Sequence, residues 1–422
     1  MENTISNKNK EKIYINGGAL TNAIFICLIV SVFMGVLVLI SHYQNYINDE
    51  LHYYEEAISR NTSAFNYFLG NSEKTPYNKI EPFDVFDDSI LSYLEKKHWG
   101  FYDILISRTP CNKDTISKIA LVGQKNTSKN NLALYLTDYD KPLKLSGNTK
   151  ILGQIYVPNG KVDQAYINGA NGNNVKQIGI KKKSEDKFPK LEKEPVFDYS
   201  NSKTTLFKHL DTNTTIINKF DQETKVIDVN GTLDIKDISL KGNIVLISKD
   251  SLQIDHTAKL EDVLVVAPKV GVSSGFKGNL QILASERVNL EEDVLLYYPS
   301  SIYLNSIDER PVTININKNS KVIGGIVING KTKLGVANRT LTLYENALVV
   351  GTVYCNGSSQ IKGTVIGSIY TNGIHLKTKS SNYENIILNA TINRDSLPEN
   401  FVGPYLFDKT MNQDNYAIVK EF

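Results

Sequence analysis

The sequence predicts a mainly β protein built as an N-terminal transmembrane helix and stalk, a small mixed α/β unit, and then a right-handed parallel β-helix. Three observations carry that reading. Residues 23–40, AIFICLIVSVFMGVLVLI, hold no charge and one clearly polar side chain, Ser31, and approach the ~20 residues a bilayer-spanning helix needs. A unit Gly-x-(Ile/Val)-Tyr-x-Asn-Gly occurs as GTVYCNG at 351–357 and again as GSIYTNG at 367–373. Between about 225 and 393, short runs of alternating apolar residues leave no room for a helix of normal length.

Bulk properties narrow the function classes. A chain of 422 residues exceeds one ordinary core, and 47 Lys and Arg against 45 Asp and Glu leave a formal net charge of +2. No global field recruits a polyanion, so no nucleic acid partner is expected. The membrane, contacted through residues 19–41, is the expected partner, together with pilin-like or other envelope proteins through the stalk, or further copies of the chain.

Residues 1–18 form a short tail with Lys8, Lys10 and Lys12 ahead of the span, while Asp49, Glu50, Glu55 and Glu56 follow it with only Arg60 basic nearby. Positive residues stay inside, which places the tail in the cytoplasm and the ectodomain outside or in the periplasm of an inner (cytoplasmic) membrane. The apolar run is longer than a signal-peptide core, and LVLISHYQNY offers no small-x-small cleavage site, so the anchor is expected to stay. Tyr43, Ile47, Leu51, Tyr54, Ile58, Phe65 and Leu69 recur at spacings of three, four and seven. That is the stripe of a helical stalk over 42–70, ended by Gly70-Asn71.

A basic tail, Gly18, and an uninterrupted apolar helix running into an amphipathic extension resemble a type IV prepilin or a minor pseudopilin of a type II secretion system. The resemblance implies cleavage after Gly18, leaving Ala19 as the first mature residue, and packing of the helix in a pilus-like fibre. Ala23 stands where the major pilins of that family carry Glu.

Residues 71–145 read as the small mixed α/β or β linking unit. Ile90, Leu91 and Leu94 have helical spacing, Phe101, Ile104 and Ile106 alternate, and SKIALVG and NLALYLTDYD read as strands. Trp99 is expected as a core or hinge anchor rather than a ligand platform. Asp138 and Asp140 have the spacing of paired cation ligands but lack the glycine and distal Glu of a calcium loop, which favours a solvated turn.

The β-helix is expected over 146–395, with an exposed charged insertion near 179–204 that includes KKKSEDKFPKLEKE, and residues 396–422 as a C-terminal cap or a tail docked on the middle unit. Further copies of the repeat lie in ILGQIYVPNGKV at 151–162 and VIGGIVINGKTKL at 322–334. The expected corners are Asn159-Gly160, Asn329-Gly330, Asn356-Gly357 and Asn372-Gly373, with Gly357 and Gly373 at positive φ and Val353 stacked on Ile369 inside. Asn-Gly is also a hairpin signal, so an antiparallel β-sandwich is the alternative. The repeats resemble right-handed β-helix proteins in general, and KGTVIGSIYTNGIHL is similar to the short coils of bactofilin-type polymer-forming proteins. The bactofilin resemblance implies end-to-end self-association.

Catalytic and metal chemistry finds little footing. Asp255-His256, Glu261-Asp262, Glu291-Glu292-Asp293 and Asp308-Glu309-Arg310 read as turns, because adjacent strand residues point to opposite faces. The six histidines are scattered, and no HExxH, Walker or GxSxG pattern occurs, so no catalytic, metal or cofactor site is expected. With Cys27 in the apolar run, Cys111 and Cys355 remain as the pair available for a disulfide. The functional expectation is therefore a non-enzymatic single-pass envelope protein, in its most specific form a minor-pilin-like part of a secretion or pilus-type machine. Two alternatives stand beside it: a membrane-anchored cytoplasmic scaffold resembling bactofilins, and a glycan-active or glycan-binding β-helix, which an exposed row of Tyr297, Tyr298 and Tyr303 would support although the sequence favours these tyrosines as packing residues at coil boundaries.

Overall fold

The computed structural model describes residues 18–72, 75–88, 90–125, 131–167, 174–192, 194–195, 204–207, 213–230, 234–307, 309–330, 338–407 and 416–422. Its first element is one unbroken helix, α1, Gly18–Asn71, of 54 residues. At 1.5 Å per residue it is about 80 Å long, enough to cross a bilayer and continue well beyond it. Its apolar half is exposed throughout, as a lipid-facing helix must be, and is the one candidate membrane span among the described residues. Asn71 closes the last turn by donating from Nδ2 to Tyr67 O at 2.9 Å.

The stalk buries its apolar stripe only in the last turns, where Phe65 is fully buried and Leu69 packs beside it. Tyr43, Ile47, Leu51, Tyr54 and Ile58 stay exposed, and the buried residues are Ala57, Arg60, Asn61, Ala64, Phe65 and Phe68. The small Ala57 and Ala64 let the helix approach a sheet, and Phe65 and Phe68 fill the space beside them. Asn61 then fixes the rotation, donating to Thr109 Oγ1 at 3.1 Å and Ile116 O at 3.0 Å.

That sheet is the β form of the linking unit, an antiparallel meander: β1 (Ile80–Asp84), β2 (Leu91–Trp99), β3 (Tyr102–Cys111) and β4 (Asp114–Lys125). Leu91 and Leu94 lie on a strand, not a helix. Strand alternation sends Leu94, Leu105, Ala120 and Val122 toward α1. Ile104, Ile106, Ile119 and Leu121 go the opposite way, into a second core with Trp99 and Phe101. The chain's last strand, Tyr416–Glu421, adds to the edge of β4, so the tail docks on this unit.

Beyond it lies a sheet of 24 strands whose neighbours in the ladder run parallel, apart from the hairpin at its Thr364–Lys377 strand. The parallel ladders exclude the antiparallel sandwich. Each turn of chain adds one strand to each of three rows. Lys321 pairs with Leu348 and Leu348 with Thr364 in one row, Ile326 with Val353 and Val353 with Ile369 in the second, and Leu341 with Ser359 and Ser359 with Ile374 in the third. Ile326, Val353 and Ile369 are fully buried, so the expected interior stacking of Val353 on Ile369 is present.

Two expected boundaries shift. The stack includes Leu132–Leu136, which pairs with 369–371 on one side and with Gln154–Val157 on the other. Lys181–Lys183 follows on Gln154–Val157. The earliest strands of the stack therefore sit beyond its last repeat. The chain next returns along the side through 184–195, and Thr204–Leu206 pairs with Lys225–Asp228 near the opposite end. Non-local pairing thus joins the first segments of the stack onto its last repeat.

Candidate functional site

The Asn-Gly repeats build a hydrogen-bonded column rather than a corner. Asn372 donates to Asn356 Oδ1 at 2.7 Å and Asn356 to Asn329 Oδ1 at 3.2 Å. Thr137 Oγ1 donates to Asn372 Oδ1 at 3.0 Å at one end, and Asn329 donates to Glu194 Oε1 at 3.0 Å at the other. Identical amides one strand apart satisfy one another, which is why the same residue recurs.

Gly330, Gly357 and Gly373 lie within strands and lack positive φ, which corrects their assignment as corners. Asn159 and Gly160 do turn the chain, at φ of 57° and 64°. Elsewhere the turning residue is the first glycine of the motif: Gly324, Gly351 and Gly367 have φ of 152°, 129° and 146°. A Cβ on Gly351 would lie 1.6 Å from Gly324 O, and one on Gly367 would lie 1.9 Å from Gly351 O. A second set of corners was missed in the sequence: Asp293, Asn319, Asn346 and Asn389, all at positive φ. Their signal was available as Asp or Asn followed by a buried Val294, Ser320, Ala347 or Ala390.

Outward from the same row as the asparagines, Tyr354, Tyr370, Tyr135 and Tyr156 occupy successive registers. Tyr135 stacks on Tyr370 at 6.2 Å and on Tyr156 at 6.1 Å, and Lys182 lies 5.5 Å over Tyr156 as the last member. Residues 184–192 strap this column: the charged side chains of Glu185, Asp186, Lys187, Lys190 and Glu192 stay exposed, as expected of the insertion, while Phe188 and Leu191 pack against the stack. Tyr354 Oη donates to Pro189 O at 2.9 Å, Tyr135 Oη donates to Lys187 O at 3.0 Å, and Phe188 packs 4.8 Å from Tyr354. Phe407 closes over Tyr370 at 4.7 Å. Burial pushes the Tyr354 phenol well above its ordinary range.

Trp99 and Phe101 dock the meander on the stack. Gln281 Nε2 donates to Trp99 O at 2.9 Å while its Oε1 accepts from Phe101 N at 2.8 Å. Trp99 meets Phe220 edge-on at 5.1 Å, and Phe101 meets Tyr303 at 5.4 Å. Tyr303 is buried and Tyr298 Oη donates to Val402 O, whereas Tyr297 is exposed. These three tyrosines form no open row.

The carboxylates are engaged locally. Asp138 Oδ1 accepts from Asp140 N at 2.9 Å, and that bond, backed by Asn159 N and Lys183, holds the carboxyl below its usual range against partial burial. Asp255 caps its own turn through Thr257 N at 2.9 Å. Glu291 Oε2 accepts from Ser274 N, Asp293 Oδ1 from Asn319, and Arg310 pairs with Glu286 at 3.2 Å. Glu261 and Asp262 both face Lys420. Asp308 lies outside the described residues. Among the described residues no three His, Cys, Asp or Glu side chains form a metal-binding group.

Cys111 and Cys355, the pair available for a disulfide, are both free thiols. Cys355 is fully buried inside the stack, whereas Cys111 ends a meander strand beside α1, where its Sγ lies 3.8 Å from Tyr53 O. Gly18 and Ala19 are the exposed first residues of α1, and the basic tail before them lies outside the described residues. Comparison with protein-family models, with curated proteins and with solved structures gave no match to this chain.

Proposed function

We infer that this chain is a non-enzymatic, single-pass envelope protein in which an N-terminal helix anchors a three-sided β-helix on the outer side of a cytoplasmic membrane. The observation that carries the reading is the continuity of α1: its apolar half is unburied by any described residue, and its last turns are bolted to the meander that docks on the stack. A rigid rod joining membrane to ectodomain fits a part that positions or transmits. A tethered enzyme has no need of one.

The flanking charges favour a cytoplasmic N-terminus, and the Gly18-Ala19 junction at the helix start supports a minor-pilin-like form, cleaved there and assembled in a secretion or pilus-type machine. End-to-end polymerisation in the manner of bactofilins is disfavoured by Lys181–Lys183, one of the outermost described strands at one end, whose three exposed lysines would repel an incoming edge. The strapped tyrosine column likewise disfavours a glycan-processing groove on that row.

Deleting residues 1–41 tests the anchor. The full chain should stay in the membrane fraction through alkaline carbonate extraction, and the truncated chain should appear in the soluble fraction. Carbonate release of the full chain would contradict the proposal. Intact mass of the purified protein tests the pilin-like form, which requires a mature chain beginning at Ala19.

A further inference from the structure

One corner of the stack carries a gap in its side-chain column. Asp293, Asn319 and Asn346 align there at φ of 60°, 61° and 62°. Asn319 donates to Asp293 Oδ1 at 3.1 Å, and Asn346 donates to Asn319 Oδ1 at 3.3 Å. The next turn replaces the asparagine with Lys362-Gly363, and the column resumes only at Asn389, whose Oδ1 accepts from Asn148 N at 2.9 Å. Gly363 cannot carry a side chain to fill the gap, because a Cβ there would lie 2.3 Å from Ala347 O.

The gap is also overhung. Strand Thr364–Lys377 does not bend straight into its corner but continues into an antiparallel hairpin, with Leu376 opposite Tyr383 and Lys377 opposite Asn382. Hairpin and corner flank an open cleft of about 660 Å³. That volume falls within the range of small-molecule sites, ~300–1,000 Å³, and is far larger than a lone inorganic ion needs.

The cleft's chemistry is one-sided. Lys362, Lys377 and Lys379 line it against a single acid, Glu345. Glu345 is already shared between Lys318 at 3.7 Å and Lys362 at 3.8 Å. Among the described residues neither Lys377 nor Lys379 has a carboxylate partner. Leu376 and Leu388 supply an apolar wall, and Thr378 and Ser380 supply hydroxyls. Ammonium groups beside hydroxyls and an apolar wall suit a ligand with acidic groups on a polyhydroxylated frame.

We propose that this cleft binds an anionic polyol or saccharide oligomer, carrying carboxylate or phosphate groups, through Lys377 and Lys379. The site does not depend on which side of the membrane the stack occupies. The test is calorimetric titration of the full-length protein in detergent with oligogalacturonate, with a glycerol-phosphate oligomer and with inorganic phosphate. Saturable binding of an oligomer that weakens as salt is added is expected, and K377Q/K379Q should lower the affinity at least tenfold. K249Q, at a distant exposed turn, should leave it unchanged.

Binding of the uronate alone assigns carboxylate recognition, and binding of the glycerol-phosphate oligomer alone assigns phosphate. Both supporting outcomes require the loss in K377Q/K379Q, with a thermal midpoint like that of the parent. No saturable binding of either oligomer, undiminished affinity in K377Q/K379Q, or inorganic phosphate binding as tightly as the oligomers would each overturn the proposal.

Discussion

Lys420, in the chain's last strand, donates from Nζ to Asp262 Oδ2 at 2.6 Å, tying the C-terminus to a turn of the stack. Burial raises the Asp262 carboxyl above its usual range even though Lys420 pulls it down. Burial works against the Lys420 charge, yet the hydrogen bond and charge of Asp262 leave that ammonium's pKa raised. Asp262 therefore favours the fold fully below its unfolded pKa, and that contribution is lost as pH rises through the folded one. The Lys420 contribution is full below the ordinary lysine range and is lost as pH rises through its folded value.

Lys420→Met should leave Asp262 buried without its cation, at a cost of about 1–3 kcal/mol near neutral pH. The deficit should shrink as pH falls and Asp262 takes up a proton, and adding Asp262→Asn should recover part of it at neutral pH. Urea unfolding at two pH values measures both effects. A deficit that ignores pH and is unmoved by Asp262→Asn would contradict the latch.

Glycine substitutions separate crowding from backbone preference. Gly275→Ala meets only the strain of φ at 80°, because nothing lies within 4 Å of its added methyl, and should cost about 1 kcal/mol. Gly351→Ala adds the collision with Gly324 O and should cost more than about 3 kcal/mol. Thermal unfolding of the two variants should rank them in that order by a wide margin.

The cysteines give a chemical readout of the fold. Cys111 should react with a maleimide in the folded protein, whereas Cys355, fully buried with its thiol pushed up to about 12, should react only on unfolding. Electrophoretic mobility should be the same with and without reductant. Rapid labelling of Cys355 in the native protein would mean that the stack opens near its Asn column.

The strap is tested by losing one hydrogen bond. Tyr354→Phe removes the donor to Pro189 O while keeping the ring against Phe188, and should cost about 1 kcal/mol. Limited proteolysis should then cut within 184–195 sooner than in the parent. Unchanged cleavage would show that the strap is held by other contacts.

The anchor and the interior of the repeats were legible because each rests on local pattern. Residues 23–40 carry no charge and a single clearly polar side chain, and Val353 and Ile369 occupy the same place in two copies of one unit. The role of the repeat glycines was misread because Asn-Gly suggests a turn wherever it occurs. Here Asn356 and Asn372 gain more from each other's amides than from turning the chain, and the close approach that needs glycine falls at Gly351 and Gly367. The strap was illegible for a different reason. Its charges mark an exposed segment, and what holds it to the stack, the side chains of Phe188 and Leu191 and the backbone carbonyls of Lys187 and Pro189, meets partners such as Tyr135 and Tyr354 that lie far away in sequence. Pairing of Leu132–Leu136 with 369–371 is non-local in the same way, so no window of sequence displays it.

The central claim is that one helix holds the whole stack on the outer side of the membrane. Asp250 and Ser380 are exposed, so Asp250→Cys and Ser380→Cys, each in a chain with Cys27→Ala and Cys111→Ser, report on it through an impermeant maleimide in intact cells whose outer envelope has been opened. Buried Cys355 can remain. Labelling of both positions before the cytoplasmic membrane is lysed is the expected result. Protection of both until lysis, followed by full labelling, would place the stack in the cytoplasm and contradict the account.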